Sequence, residues 1–120
     1  MKELTKAEEE IMQLLWKLEQ ANVAALLEEM NEPKPAYNTV STIVRILETK
    51  GFVGYKKVGR GHEYYPLIEK DNYSKFSLSK LMNNYFDGSM KTMLSFFVDK
   101  NDMSVKELED ILSEINKKKK

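Results

Sequence analysis

The sequence predicts a mostly α-helical fold with one small β-hairpin, in two parts of the chain, 1–69 and 70–120. Three observations predict it. Apolar residues recur at spacings of three and four over most of the chain, the period of an amphipathic helix. One stretch breaks that period: Phe52–Val58 and His62–Leu67 are short β-rich runs on either side of Gly59-Arg60-Gly61, whose glycines suit a tight turn. From Asp71 the helical period returns and persists to the last residues.

Each element has its own local cause. Thr5-Lys-Ala-Glu8 is a capping-box pattern, and Glu8, Glu9 and Glu10 favour the positive end of a helix dipole. The stripe Ile11, Leu14, Leu15 and Leu18 then extends a first helix over about 6–19, with Trp16 off its centre. Asn22 can cap a second helix carrying Val23, Leu26, Leu27 and Met30. That helix must stop before Glu32-Pro33-Lys34-Pro35, because a residue preceding proline is pushed out of helical geometry. A third helix over about 36–50 buries Val40, Ile43, Val44 and Leu47 and stops at Gly51. Pro66 confines the second β run to an edge strand or a strand end.

The C-terminal part reads as three helical segments. Tyr73, Phe76, Leu78, Leu81, Met82, Tyr85 and Phe86 form the first, ending at Asp87-Gly88. Met90, Met93, Leu94, Phe97 and Val98 form the second. Ser104-Val-Lys-Glu107 is a second capping-box pattern, opening a helix with Val105, Leu108, Ile111, Leu112 and Ile115. Lys117–Lys120 reads as a frayed end.

Composition excludes several chemistries. With 120 residues, 42% hydrophobic and 32% charged, the chain has globular composition and little room for a deep cleft. Zero Cys removes disulfides, thiolate zinc and a Cys nucleophile. His62 is the only histidine, so one chain holds neither a multi-histidine metal site nor a second histidine for a catalytic set; beside a turn it reads as a surface or packing residue. No catalytic residue, metal or small-molecule cofactor is expected, and the methionines read as core or interface filler. No apolar run approaches the roughly 20 residues of a membrane span, and the opening residues are mostly charged, so the expected location is cytoplasmic.

The charge is neutral in total but not locally. Residues 1–33 carry three Lys against eight Glu, a net of −5. Residues 34–62 carry Lys34, Arg45, Lys50, Lys56, Lys57 and Arg60 against Glu48, a net of +5. Local field, not net charge, sets attraction for phosphate. The basic stretch coincides with the third helix and the hairpin.

Three helices followed by a hairpin in about 65 residues is the layout of a winged helix-turn-helix, whose third helix enters the DNA major groove while the wing rests on the backbone. Opposite the apolar stripe of the third helix lie Asn38, Thr39, Ser41, Thr42 and Arg45, side chains that can bond base edges and phosphates. The wing supplies Lys56, Lys57 and Arg60. The C-terminal segments are more apolar than the winged part needs as cover, and a twofold homodimer would bury them. Leu81, Tyr85, Met93, Leu94, Phe97, Leu108, Ile111, Leu112 and Ile115 are the expected dimerisation residues. A dimer would present two recognition helices to a two-fold symmetric stretch of double-stranded operator DNA. The competing reading is a protein-interaction module on a winged scaffold, without specific DNA readout, which the acidic 1–33 stretch keeps open.

Particular residues resemble a known family. Leu4-Thr-x-Ala-Glu8, Ile11-Met-x-Leu-Leu-Trp16, Tyr37-Asn-Thr-Val-Ser-Thr-Ile43, Leu47-x-x-Lys-Gly-Phe52, Tyr64-Tyr-Pro66 and Phe97-Val-Asp-Lys-Asn-Asp-Met-Ser104 are similar in sequence and spacing to the penicillinase-repressor family (BlaI/MecI/CopY) of winged-helix transcriptional regulators. The resemblance spans nearly the whole chain. It implies repression by operator occlusion, with base contacts from Asn38, Ser41, Thr42 and Arg45 and the wing at Lys56, Lys57 and Arg60; Tyr37 is expected as a further DNA-binding residue of the recognition helix. It also implies relief through proteolysis or destabilisation of the C-terminal part, with a membrane sensor protease as partner. The chain departs from the family in three places. It lacks the Cys motifs of the metal-responsive branch; Phe96–Phe97 stands where the β-lactam branch is cleaved at an Asn–Phe bond; and Asn38 and Ser41 stand in a recognition helix that often carries Lys in that branch.

Overall fold

The computed structural model describes residues 1–118. Their order is α1 (Lys6–Leu18), α2 (Val23–Glu28), α3 (Tyr37–Thr49), β1 (Val53–Val58), β2 (Gly61–Pro66), α4 (Lys70–Tyr85), α5 (Met90–Asp99) and α6 (Val105–Lys118). This is the mostly helical, single-hairpin architecture that the periodicity predicts. The chain divides into two compact units, Met1–Ser77 and Leu78–Lys120.

In the first unit, Thr5 caps α1 reciprocally. Its hydroxyl accepts the Glu8 N–H at 3.2 Å, and the Glu8 carboxylate accepts the Thr5 N–H at 2.8 Å. The Asn22 side chain accepts the Ala25 N–H at 2.8 Å and starts α2. α3 begins directly after the proline segment with no side-chain cap. It ends where Gly51 takes a φ of 82° and the Phe52 N–H returns to the Leu47 carbonyl at 2.9 Å, a left-handed stop that glycine adopts without strain. Ile11, Met12 and Leu15 of α1, Leu26 of α2, and Val40, Val44 and Leu47 of α3 meet in one core with Phe52 and Val53. Each is 0–1% exposed, so the helical stripes face one another as their spacing requires.

The strands pair antiparallel from Val53↔Pro66 to Val58↔Gly61, so Gly61 lies in β2 and the turn is Gly59-Arg60 alone. Gly59 has a φ of 63°. Pro66 closes β2, at the strand end to which its missing N–H restricts it. β2 is also tied to the α1–α2 connection: Tyr64 and Ala21 exchange both backbone hydrogen bonds, at 2.8 and 3.0 Å. This bridge holds the base of the hairpin against the helices.

Tyr73 and Phe76, from the first turns of α4, pack on the same core. The Tyr73 ring meets Phe52 edge-on at 5.6 Å, and its hydroxyl accepts the Leu4 N–H at 3.1 Å. Trp16, off the α1 stripe, donates its indole N–H to the Ile68 carbonyl at 2.9 Å and packs 6.2 Å from Tyr73.

The second unit contains the last turns of α4 with α5 and α6. Ser89 caps α5 by accepting the Thr92 N–H at 3.1 Å. Ser104 caps α6 by accepting the Glu107 N–H at 3.0 Å. Glu107 takes the Ser104 hydroxyl and not the Ser104 N–H, so the second box is not reciprocal. Met93 is buried, and the Phe86 and Phe96 rings pack 5.5 Å apart, tilted by 58°. α6 buries no residue. It continues through Lys117 and Lys118, beyond the expected start of fraying; Lys119 and Lys120 lie outside the described residues.

Candidate nucleic-acid interface

α3 separates its faces sharply. Val40, Val44 and Leu47 are buried, whereas Tyr37, Asn38, Thr39, Thr42 and Arg45 are exposed and Ser41 is half-buried. Asn38, Thr42 and Arg45 follow the helical repeat along the outer face. The Thr42 hydroxyl donates to the Asn38 carbonyl at 2.8 Å, so toward solvent it offers acceptor capacity only. Ile46, one turn beyond Thr42, is 41% exposed on this same face.

The hairpin register sorts its side chains. Val53, Tyr55 and Lys57 of β1 share a face with Tyr64 and His62 of β2, because Tyr55 pairs with Tyr64 and Lys57 with His62. The Tyr55 and His62 rings lie 4.6 Å apart at 31°. Lys56 points to the other face, opposite Glu63, whose carboxylate accepts from the Gln20 amide. Lys56, Lys57 and Arg60 are exposed, and among the described residues none of them, nor Arg45, is in an ion pair.

Tyr64 shows where α3 and the hairpin meet. Burial pushes its phenol up, the Glu48 carboxylate adds to that rise, Arg45 opposes it, and Tyr37 and Tyr55 contribute small increases. The groups acting on this one phenol come from both α3 and β1. The polar face of α3 and the Tyr55 face of the wing belong to one compact unit and together make up the candidate surface.

Lys50 does not belong to that surface, although its charge counts toward the basic stretch of the sequence. Its ammonium lies 2.7 Å from the Glu8 carboxylate and 3.4 Å from the Glu3 carbonyl. The remaining cations of the stretch are Lys34, Arg45, Lys56, Lys57 and Arg60.

In the second unit, Leu81, Tyr85, Ile111, Leu112 and Ile115 are exposed, Tyr85 by 75%. Leu94, Phe97 and Leu108 are half-buried, and Met93 is already packed inside the unit. Two apolar hollows open here. One of about 490 Å³ is lined by Leu81, Tyr85, Phe86, Thr92 and Phe96. One of about 400 Å³ is lined by α5 and α6, including Leu94, Val98, Val105 and Leu108.

The penicillinase repressor family pattern matches residues 4–117. The chain belongs to the penicillinase repressor family. It is 29% identical over 117 residues to the methicillin resistance regulatory protein MecI of Staphylococcus aureus (strain N315), covering 97% of this chain and 95% of that protein. The penicillinase repressor of Bacillus licheniformis is 26% identical over 122 residues, covering 98% and 95% respectively. That of Staphylococcus aureus is 24% identical over 120 residues, covering 97% and 95%. These relatives are named as regulators and repressors and not as enzymes, and membership makes this chain a transcriptional regulator of the repressor type.

Within this penicillinase repressor family chain, the Phe96–Phe97 bond lies inside α5, where Phe96 also carries the Lys100 ammonium 5.9 Å over its ring. No cluster of three or more His, Asp or Glu side chains able to hold a metal occurs among the described residues, and no described helix is long and apolar enough to cross a membrane. Ile46, Tyr55 and His62 join this candidate interface in addition to the residues expected from the sequence. Ile46 falls outside the 40, 43, 44, 47 stripe, so a helical projection would have exposed it. Tyr55 and His62 needed the strand register.

Proposed function

We propose that this family member is a homodimeric DNA-binding repressor that occupies a palindromic operator. α3 enters the major groove with Tyr37, Asn38, Ser41, Thr42 and Arg45 toward bases and phosphates, and Ile46 is placed to meet a thymine methyl. Lys56, Lys57 and Arg60 hold the wing to the backbone. The observation that carries this reading is an exposed polar face on α3 together with the exposed wing cations Lys56, Lys57 and Arg60, none of them in an ion pair among the described residues, within one compact unit.

The C-terminal part, read from the sequence as 70–120, is the dimerisation domain. Its exposed leucines, isoleucines and Tyr85, with the two apolar hollows, are surface that a second copy would cover. Relief follows cleavage or loosening of this part, with Phe96–Phe97 as the candidate bond and a membrane sensor protease as the candidate partner. A bond within a helix must be locally unfolded before a protease can engage it, so α5 sets the rate of that step.

Salt-titrated binding to DNA upstream of the protein's own gene, with unrelated DNA as control, tests the reading. Two chains per palindromic site, resistant to competitor DNA, are expected. Equal and weak binding to both DNAs, lost in modest salt, would replace it with an interaction module lacking base readout.

A further inference from the structure

We propose that His62 is a fourth DNA-contacting side chain of the wing, and that its protonated imidazole donates to a backbone phosphate so that operator affinity depends on pH. The inference rests on the DNA-binding reading above and adds a residue and a proton to it.

His62 lies one residue pair from the hairpin turn, directly across from Lys57 and two residues after Arg60. It is exposed, and among the described residues no hydrogen bond or ion pair engages it. The Tyr55 ring, 4.6 Å away, backs the imidazole, and Tyr64 meets it edge-on at 6.3 Å, so the ring plane is held while its nitrogens stay unpaired. An ordered ring loses less rotamer freedom when it contacts DNA than a free lysine does.

Lys57 is the cross-strand partner of His62 and Arg60 lies in the adjoining turn, so the hairpin brings two cations to this end. Glu63, the adjacent carboxylate, points to the opposite face and is held by Gln20. From α3, Glu48 and Arg45 act in opposite directions on Tyr64, the ring beside His62, and Tyr37 acts in the same direction as Glu48. Among the described residues, no carboxylate is paired with the imidazole in the free protein. A DNA phosphate would be its first anionic partner, and an anion within hydrogen-bond reach favours the charged ring. Binding would therefore take up a proton. Because the chain has one histidine and no cysteine, no other side chain is suited to change charge across this range.

The test is operator binding by the full-length chain at pH 6 and pH 8 across a salt series, for wild type, His62→Gln and His62→Arg. Wild type should bind several-fold more tightly at pH 6, with a salt slope steeper by about 0.9, the value of one added phosphate contact. His62→Gln should show the same affinity and slope at both pH values, and His62→Arg should bind tightly at both. A wild type with no pH dependence would overturn the inference while leaving the repressor reading intact. So would a His62→Gln variant that keeps the pH dependence. Absence of operator binding by wild type at either pH would overturn both. Matching thermal melts for the three proteins establish that the exposed substitution leaves the fold intact.

Discussion

The Lys50 ammonium sits 2.7 Å from the Glu8 carboxylate and so ties the C-terminal end of α3 to the N-terminal end of α1. Glu8 thereby has two tasks: it closes the Thr5 capping box and it neutralises a lysine 42 residues away. Burial by itself would raise the Glu8 carboxyl, but the Lys50 hydrogen bond, the Thr5 N–H and the Lys50 charge outweigh it, and the carboxyl is held below its ordinary value. The helix with the outward polar face is thus anchored at the end away from its entry residues. Side chains on α3 keep their direction only if α3 cannot roll on the core.

Removing this tie should destabilise the first unit in a pH-dependent way. Lys50→Met keeps the aliphatic stem but leaves a buried carboxylate with only its cap partner. The expected cost is about 1–3 kcal/mol at pH 7, less than for a fully buried pair because Lys50 is partly exposed. A carboxyl lowered in the folded state contributes stability that is present above its ordinary value of 4.5 and is lost as pH falls through the lower folded value. Urea denaturation of the two proteins should therefore show a gap at pH 7 that narrows below about pH 4. A gap unchanged by pH would mean that lost packing, and not charge, is responsible.

Tyr73→Phe probes a different anchor. The ring contacts with Phe52, Trp16 and Phe76 survive, but the buried Leu4 N–H loses its acceptor and Glu9 loses a donor at 3.3 Å. A cost of about 1–2 kcal/mol is expected by chemical denaturation, with operator affinity unchanged once the protein is folded. A loss of DNA binding in the folded variant would contradict the separation of this anchor from the candidate interface.

Those two contacts mark the limit of what the sequence discloses. The helices, the hairpin and the Thr5 cap follow from neighbours within four residues, so their signals are local and readable. The outer face of α3 and the wing cations are readable for the same reason. Lys50 is not: its charge suggests a DNA-facing cation, and only the meeting of α1 with α3 shows that Glu8 already holds it. Trp16 and Tyr73 depart from simple stripes because their polar atoms bond to Ile68 and Leu4, far away in sequence. His62 needed the register that sets it on Tyr55.

The outer face of α3 predicts an order among substitutions. Asn38 offers both donors and an acceptor to a base edge, and no described side-chain hydrogen bond occupies them. Thr42 has already committed its proton to the Asn38 carbonyl. Asn38→Ala should cost about 1–3 kcal/mol of discrimination at one base position, and Thr42→Val distinctly less. Lys56→Ala should instead weaken all sequences alike and reduce the salt slope by about one. Competition binding with single-base operator variants separates these outcomes. Equal effects of Asn38→Ala on every sequence would remove Asn38 from base readout.

Loss of the C-terminal helices should act on DNA binding through valency and not through the interface itself. A chain ending at Phe96 lacks the end of α5 and all of α6, and with them Phe97, Leu108, Ile111, Leu112 and Ile115. Residues 1–77, with Asn38, Arg45 and the wing, are untouched. If the dimer joins two half-site readers, the second contact is intramolecular, and losing it should weaken binding to the palindrome by about 10²-fold or more. Binding to an isolated half-site should barely change. Met93→Gly should lead to the same state by a different route. It removes a buried side chain from α5 and places glycine mid-helix, which lowers the local cost of opening the Phe96–Phe97 bond. Chymotrypsin, which cuts after exposed Phe, should then cleave there at least tenfold faster, a ratio consistent with about 1.4 kcal/mol of local destabilisation. A 1–96 chain that holds the palindrome as tightly as the full chain would show that the C-terminal helices do not couple the two readers.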